Sequence, residues 1–279
     1  MTNATATQAG KSRRVEKPAA KKRRGGVTGW VPNQHGAWVM VTLPLVIGLC
    51  YAGSLRGLPI LVPLVIAWYT GYFAFFAFGL WAKAAAVRKA QYVTPLLVYG
   101  GICAAASIAV LAQAPHLLWW AAAFGPLVAI AAFEAIQKRP RSLASGISTV
   151  IAAALMVPVA VDAVSRPITP HMMAVTGLLA MYFSAMIPFV KTLIRNRGDQ
   201  RYVIGSIVAH AVALVITGGL VYFGYLHWFT AVAMGAALVR AWWMPWQVAR
   251  TGKRFSPKFV GNFEVIFTVA VVIGIALAP

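Results

Sequence analysis

Leu58-Pro-Ile-Leu-Val-Pro-Leu-Val-Ile-Ala-Trp-Tyr-Thr-Gly-Tyr-Phe-Ala-Phe-Phe-Ala-Phe-Gly-Leu80 contains no charged side chain and is followed at once by Trp81-Ala-Lys83. An α-helix rises about 1.5 Å per residue, so roughly 20 apolar residues cross the ~30 Å hydrocarbon layer of a bilayer. The stretch reads as a membrane span closed by an aromatic residue and a cation at the interface. Working outward, apolar runs of similar length recur at 36–53, 93–112, 117–136, 143–164, 172–190, 202–223, 226–244 and 260–278. With 58–80 they predict an all-α, polytopic membrane bundle of about nine transmembrane helices. The connections are too short to hold a second domain.

Composition agrees. Of the 279 residues, 60% are hydrophobic and 11% charged, with a mean hydropathy of +0.74. Soluble domains carry about 25% charged residues, so a soluble globular enzyme is excluded, as is a disordered chain. A net charge of +20 would suggest a nucleic-acid partner in a polar protein. Here the cations lie between apolar runs, so membrane topology explains them and no nucleic acid is expected. Cys50 and Cys103 both fall inside apolar runs and define neither a disulfide framework nor a metal site.

Residues 1–30 form a basic segment with Glu16 as its one acid, read as a disordered cytoplasmic tail that touches anionic headgroups. Residues 31–279 form the nine-helix transmembrane domain. Alternate connections then divide the charge. One side receives the tail, Lys83, Arg88, Lys89, Lys138, Arg139, Arg141, Lys191, Arg195, Arg197, Arg201, Arg240, Arg250, Lys253, Arg254 and Lys258. Of the 25 Lys and Arg, only Arg56 and Arg166 fall on the other side. The positive-inside rule makes the crowded side cytoplasmic and, with nine spans, puts the C-terminus outside a cell (inner) membrane. Trp30, Trp38, Trp81, Trp242, Trp243 and Trp246 gather near inner ends, and Trp119, Trp120 and Trp228 near outer ends, as an interfacial belt requires.

Polar groups retained beside hydrocarbon are the candidates for function. Asn33, Gln34 and His35 stand together before the first span, where they either bind the polar end of a ligand or cap the helix. Lys191 and Arg195 are four apart and share a helix face. Together with Lys83, Arg88, Arg139, Arg141, Arg197 and Asp199 they form a candidate anion-binding set, because guanidinium forks suit phosphate and carboxylate geometry. The ordinary alternative is membrane anchoring. Glu134 and Glu264 each pair with a nearby Lys or Arg, or one of them titrates. His116, His171 and His227 fall at outer ends beside turns, where histidine is ordinary, so no metal is assigned; His210 reads as hydrogen-bonded core. Pro44, Pro126, Pro158 and Pro188 are expected to interrupt helices around an internal cavity. The residues identify no cofactor and no protein partner.

Two segments carry a family resemblance: Val31-Pro-Asn-Gln-His-Gly-Ala-Trp38 and Val190-Lys-Thr-Leu-Ile-Arg-Asn-Arg197. With the nine-span layout they resemble the YwiC-like membrane proteins, from about Pro32 onward, a family without an established activity. More distantly, the chain is similar to the UbiA prenyltransferase superfamily. That resemblance implies a nine-helix fold whose two acidic cytoplasmic motifs, after helices two and six, bind magnesium and a prenyl diphosphate. The Lys138-Arg-Pro-Arg-Ser-Leu143 turn looks like its counterpart there. At the two motif positions this chain instead has Lys83, Arg88 and Lys89, and Lys191, Arg195, Asn196 and Arg197 with Asp199 alone. The resemblance thus implies direct binding of an anionic isoprenoid or lipid by cations. Three classes stand open: a UbiA-like protein that binds or modifies an amphiphile, a transporter or channel for a small anion, and a non-catalytic assembly subunit.

Overall fold

A computed structural model describes residues 28–33, 35–53, 55–252 and 254–278. Among them there is no strand. In lipid a backbone has no water to bond, and helices satisfy their own amides. The helices are α1 (His35–Ala52), α2 (Leu58–Lys83), α3 (Ala86–Gln113), α4 (Ala121–Ile136), α5 (Leu143–Ala154), α6 (Met156–Ala163), α7 (Pro170–Ile194), α8 (Gln200–Tyr222), α9 (Trp228–Thr251) and α10 (Pro257–Ala276). Short 3₁₀ turns, Leu55–Gly57 and Pro115–Trp120, precede α2 and α4.

α5 and α6 are one rod broken at Leu155, so the ten helices make nine rods where nine runs were expected. Seven rods are long and apolar enough to cross a membrane. Of the other two, α1 is shorter, and α9 carries Arg240, Gln247 and Arg250. Both pack within the same bundle.

The prolines behave differently from expectation at three of four positions. Pro44, Pro126 and Pro188 lie inside α1, α4 and α7, which run through them. Pro158 alone coincides with a break: it has no N–H to offer the Ala154 carbonyl, and α5 ends at Ala154. Helices also outrun their apolar stretches. α3 starts at Ala86, so Arg88 and Lys89 occupy its first turns instead of a loop, and α7 continues through Lys191 to Ile194. Charged side chains can extend a helix beyond the hydrocarbon, because water accepts their heads.

The broken rod and α7 form the centre: 67% of the apolar stretch of Leu143–Ala163 and 61% of that of Pro170–Ile194 are buried, against 11% for Pro115–Ile136. One core gathers Leu178, Tyr182 and Phe183 of α7 with Val150, Val157, Met234 and Val271. A second gathers Leu45 of α1 with Leu61, Val110, Val159 and Ala160. Where α1 crosses α6 the backbones touch. A Cβ on Gly48 would lie 2.6 Å from the Met156 carbonyl, so only glycine fits.

Residues 28–33 pack on α3 ahead of α1. Tyr99 donates its hydroxyl to the Trp30 carbonyl at 2.9 Å, and Trp38 donates its indole N–H to Pro32 O at 3.3 Å. The expected tail boundary at residue 30 falls within this packed stretch; residues 1–27 lie outside the described residues. We call the end of the bundle where α1 begins the near end and its opposite the far end.

Candidate functional site

An open groove of about 550 Å³ runs between α5, α7 and α8. Its wall comes from Leu143, Ile147, Met181, Ala185, Pro188 and small α8 residues at Gly205 and Ala209. Gly205 meets nothing within 4 Å of the Cβ it lacks, so the groove exists because side chains are short there. Arg201 and Tyr202 form its polar mouth at the near end. The Lys191 ammonium stands 5.8 Å from the centre of the Tyr202 ring.

Beyond that mouth, cations from three separate connections come together. Arg141, after α4, lies close enough to repel both Lys83 at the end of α2 and Arg195 at the end of α7, and Arg195 in turn repels Lys191. Partial burial and the Arg141 charge hold the Arg195 guanidinium below its ordinary value. Lys83, Arg141 and Arg195 are exposed and Lys191 half-buried. No described carboxylate pairs with any of these four.

The remaining sequence candidates divide. Arg139 pairs with Glu134 at 3.3 Å, as expected for that acid, and is largely exposed. Arg197 gives its Nε–H to the Leu193 carbonyl and reaches Phe255 O at 3.5 Å, so it closes the end of α7 and is not directed at a ligand. Asp199 accepts the Arg201 backbone N–H at 3.0 Å and caps α8 in place of pairing with an arginine side chain. Arg88 is exposed in the first turn of α3, and Asn33 is exposed ahead of α1. Gln34 and the His35 side chain lie outside the described residues.

Magnesium does not fit this face. Asp199 is the single carboxylate of the two segments aligned above, its Oδ1 is occupied as a cap, and the neighbours are cations. A hard divalent ion needs several oxygen ligands. The far-end histidines also go separate ways. His116 meets Asp162 at 3.5 Å, His171 lies between the Tyr51 hydroxyl and Tyr225 O, and His227 caps α9. Among the described residues no three metal-binding side chains gather.

One cluster was not anticipated. Arg240, counted above as an inner-face cation, is 2% exposed in the middle of α9. Its Nη1 donates to Glu264 Oε2 on α10, and its Nη2 donates to His210 Nε2 on α8 at 3.1 Å. The His210 Nδ1–H goes to the Ser206 carbonyl at 2.8 Å. An arginine only donates and a carbonyl only accepts, so the ring is the neutral Nδ1–H tautomer. Phe189 and Phe267 lie 4.2 and 4.5 Å from the guanidinium carbon and sandwich it. Glu264 pairs with an arginine as expected, and His210 is hydrogen-bonded core as expected. The overlooked signal was the position of Arg240 inside the apolar run 226–244, opposite the one acid of the last run.

Comparison with known proteins covers the first half of the chain. Residues 31–161 match the model of the YwiC-like protein family. The chain is 29% identical over 127 residues to "Uncharacterized protein YwiC" of Bacillus subtilis (strain 168). That alignment covers 43% of this chain and 48% of the relative, so the chain spans about half the length of the curated relative it matches. No solved structure matches. The match takes in α1 to most of α6 and the Val31–Trp38 segment, and stops before the groove-lining α7 and α8 and before Val190–Arg197. Across residues 31–161 this multi-pass membrane protein is similar to the YwiC-like family.

Proposed function

We propose that the protein binds an anionic amphiphile, an isoprenoid or other lipid with a phosphate or carboxylate head. The chain of the ligand lies in the groove between α5, α7 and α8, and its head meets Arg201 and Lys191 at the mouth, with Arg195, Arg141 and Lys83 beyond. One observation carries this reading: an apolar groove opens beside cations that have no counter-charge among the described residues. Unpaired cations at a lipid-facing mouth attract an anion from outside the chain. The reading follows the resemblance to the UbiA superfamily expected from the sequence, which the comparisons do not show, with cations in place of metal and no transfer chemistry assigned.

The same charge distribution supports a cell (inner) membrane location with the N-terminus cytoplasmic and the C-terminus outside. The near end is then the cytoplasmic face, where the basic segment ahead of Thr28 also contacts anionic lipid.

The test is a lipid survey of the detergent-purified protein by mass spectrometry. Enrichment of one anionic amphiphile over bulk phospholipid, abolished in Lys191→Ala plus Arg195→Ala, supports the proposal. Bulk phospholipid alone, unchanged by that double variant, overturns it. Small-anion flux in proteoliposomes without enrichment of any lipid favours the transporter reading.

A further inference from the structure

Arg56 and Arg166 stand apart from the other cations. They alone fall on the far side in the topological count, and both line a single cavity of about 560 Å³ at the far end of the bundle. Topology disfavours cations there, which makes their convergence informative.

The local chemistry is suited to an oxyanion. Arg166 donates through Nη1 to the Tyr51 and Ala52 carbonyls at 2.9 and 3.0 Å, which closes the end of α1 and fixes the guanidinium. The rest of its fork is left for another acceptor. Arg56 has no side-chain hydrogen bond or ion pair among the described residues. Gly57 and Ile60, at the start of the 26-residue α2, also line the cavity. No side chain caps that helix, so the positive end of its dipole adds to the two guanidinium charges. Ser165 brings a hydroxyl to the same wall.

The acids among the described residues are engaged elsewhere. Asp162, the far-end carboxylate, accepts the Trp120 indole N–H at 2.8 Å and meets His116. Glu134, Asp199 and Glu264 are held by Arg139, the Arg201 backbone and Arg240. No carboxylate among the described residues lines the cavity.

We infer that this far-end cavity binds a phosphate-class oxyanion, either free phosphate or the headgroup of a phospholipid in the adjoining leaflet. The inference is independent of the near-end groove, and its test is built to stay so. In a Lys191→Ala plus Arg195→Ala background, the purified full-length chain in a nonionic detergent is titrated with inorganic phosphate against chloride at matched ionic strength. A second titration uses dihexanoyl phosphatidylglycerol, and thermal stability is the readout. Stabilisation by either probe is expected, with an apparent affinity about tenfold weaker once Arg56→Ala is added, the scale of one lost charge-assisted contact. Arg56 is exposed and makes no side-chain hydrogen bond or ion pair among the described residues, so little change in the unliganded melting temperature is expected. Stabilisation by phosphate alone identifies a free anion as the ligand, and by the lipid alone a headgroup. No stabilisation by either probe, or an affinity that Arg56→Ala leaves untouched, overturns the inference.

Discussion

Arg240 and Arg195 are the same residue type in one bundle, the first in the middle of α9 and the second at the end of α7, and their surroundings are opposite. Arg240 is 2% exposed, faces Glu264 and His210, and lies between two phenyl rings. Arg195 is exposed and has Arg141 and Lys191 as its charged neighbours. The buried cation has its counter-charge inside the protein and ties α8, α9 and α10 together. The surface cations repel one another and pair with no carboxylate among the described residues. A cation with an internal partner serves the fold, and a group of cations without one is a candidate for binding.

Breaking this contrast at its buried side gives the largest effect. Arg240→Ala leaves Glu264 unpaired in an apolar setting, at a cost of about 3–5 kcal/mol. It is expected to appear as a large drop in the melting temperature of the detergent-purified protein. Arg240→Met with Glu264→Met removes both charges together and recovers most of that loss. A double variant as unstable as the single one would show that the pair contributes more than mutual neutralisation.

A smaller loss comes from packing alone. Gly48→Ala places a Cβ 2.6 Å from the Met156 carbonyl and is expected to cost about 1–3 kcal/mol, read in the same unfolding assay. At the near-end surface the effect on stability almost vanishes. Lys191→Ala plus Arg195→Ala changes stability by less than about 0.5 kcal/mol or raises it slightly, because like charges are removed. If this pair destabilised the fold as Arg240→Ala does, the division between the two kinds of cation would be lost. Of the same small order, Arg139→Ala removes an exposed partner from the largely buried Glu134 and shifts stability by about 0–1 kcal/mol in the same assay.

The periodic part of the architecture was legible in the sequence. Apolar runs of helix length place the rods, and a turn separates the runs 202–223 and 226–244, with φ of +76° at Gly224. Rod ends were less legible, because residues such as Arg88 and Lys191 continue a helix after its apolar run has ended. Proline was a poor guide. Pro44 and Pro188 sit in continuous helices, and Pro158 follows a break.

The candidate site was legible as a list of cations but not as an arrangement. Nothing in the spacing shows that Arg141 lies near both Lys83 and Arg195, since the three come from separate connections. The groove depends on small residues at Gly205 and Ala209, which read in sequence as ordinary helix-packing positions. Arg240 and Glu264 are 24 residues apart and meet only because α9 and α10 are antiparallel neighbours.

An experimental density map of the purified protein in native lipid tests the central claim most directly. The account predicts elongated density along Ile147, Met181 and Gly205, ending in a head group beside Lys191 and Arg201. A well-resolved groove without such density, or one occupied with its polar end away from those two cations, would contradict it.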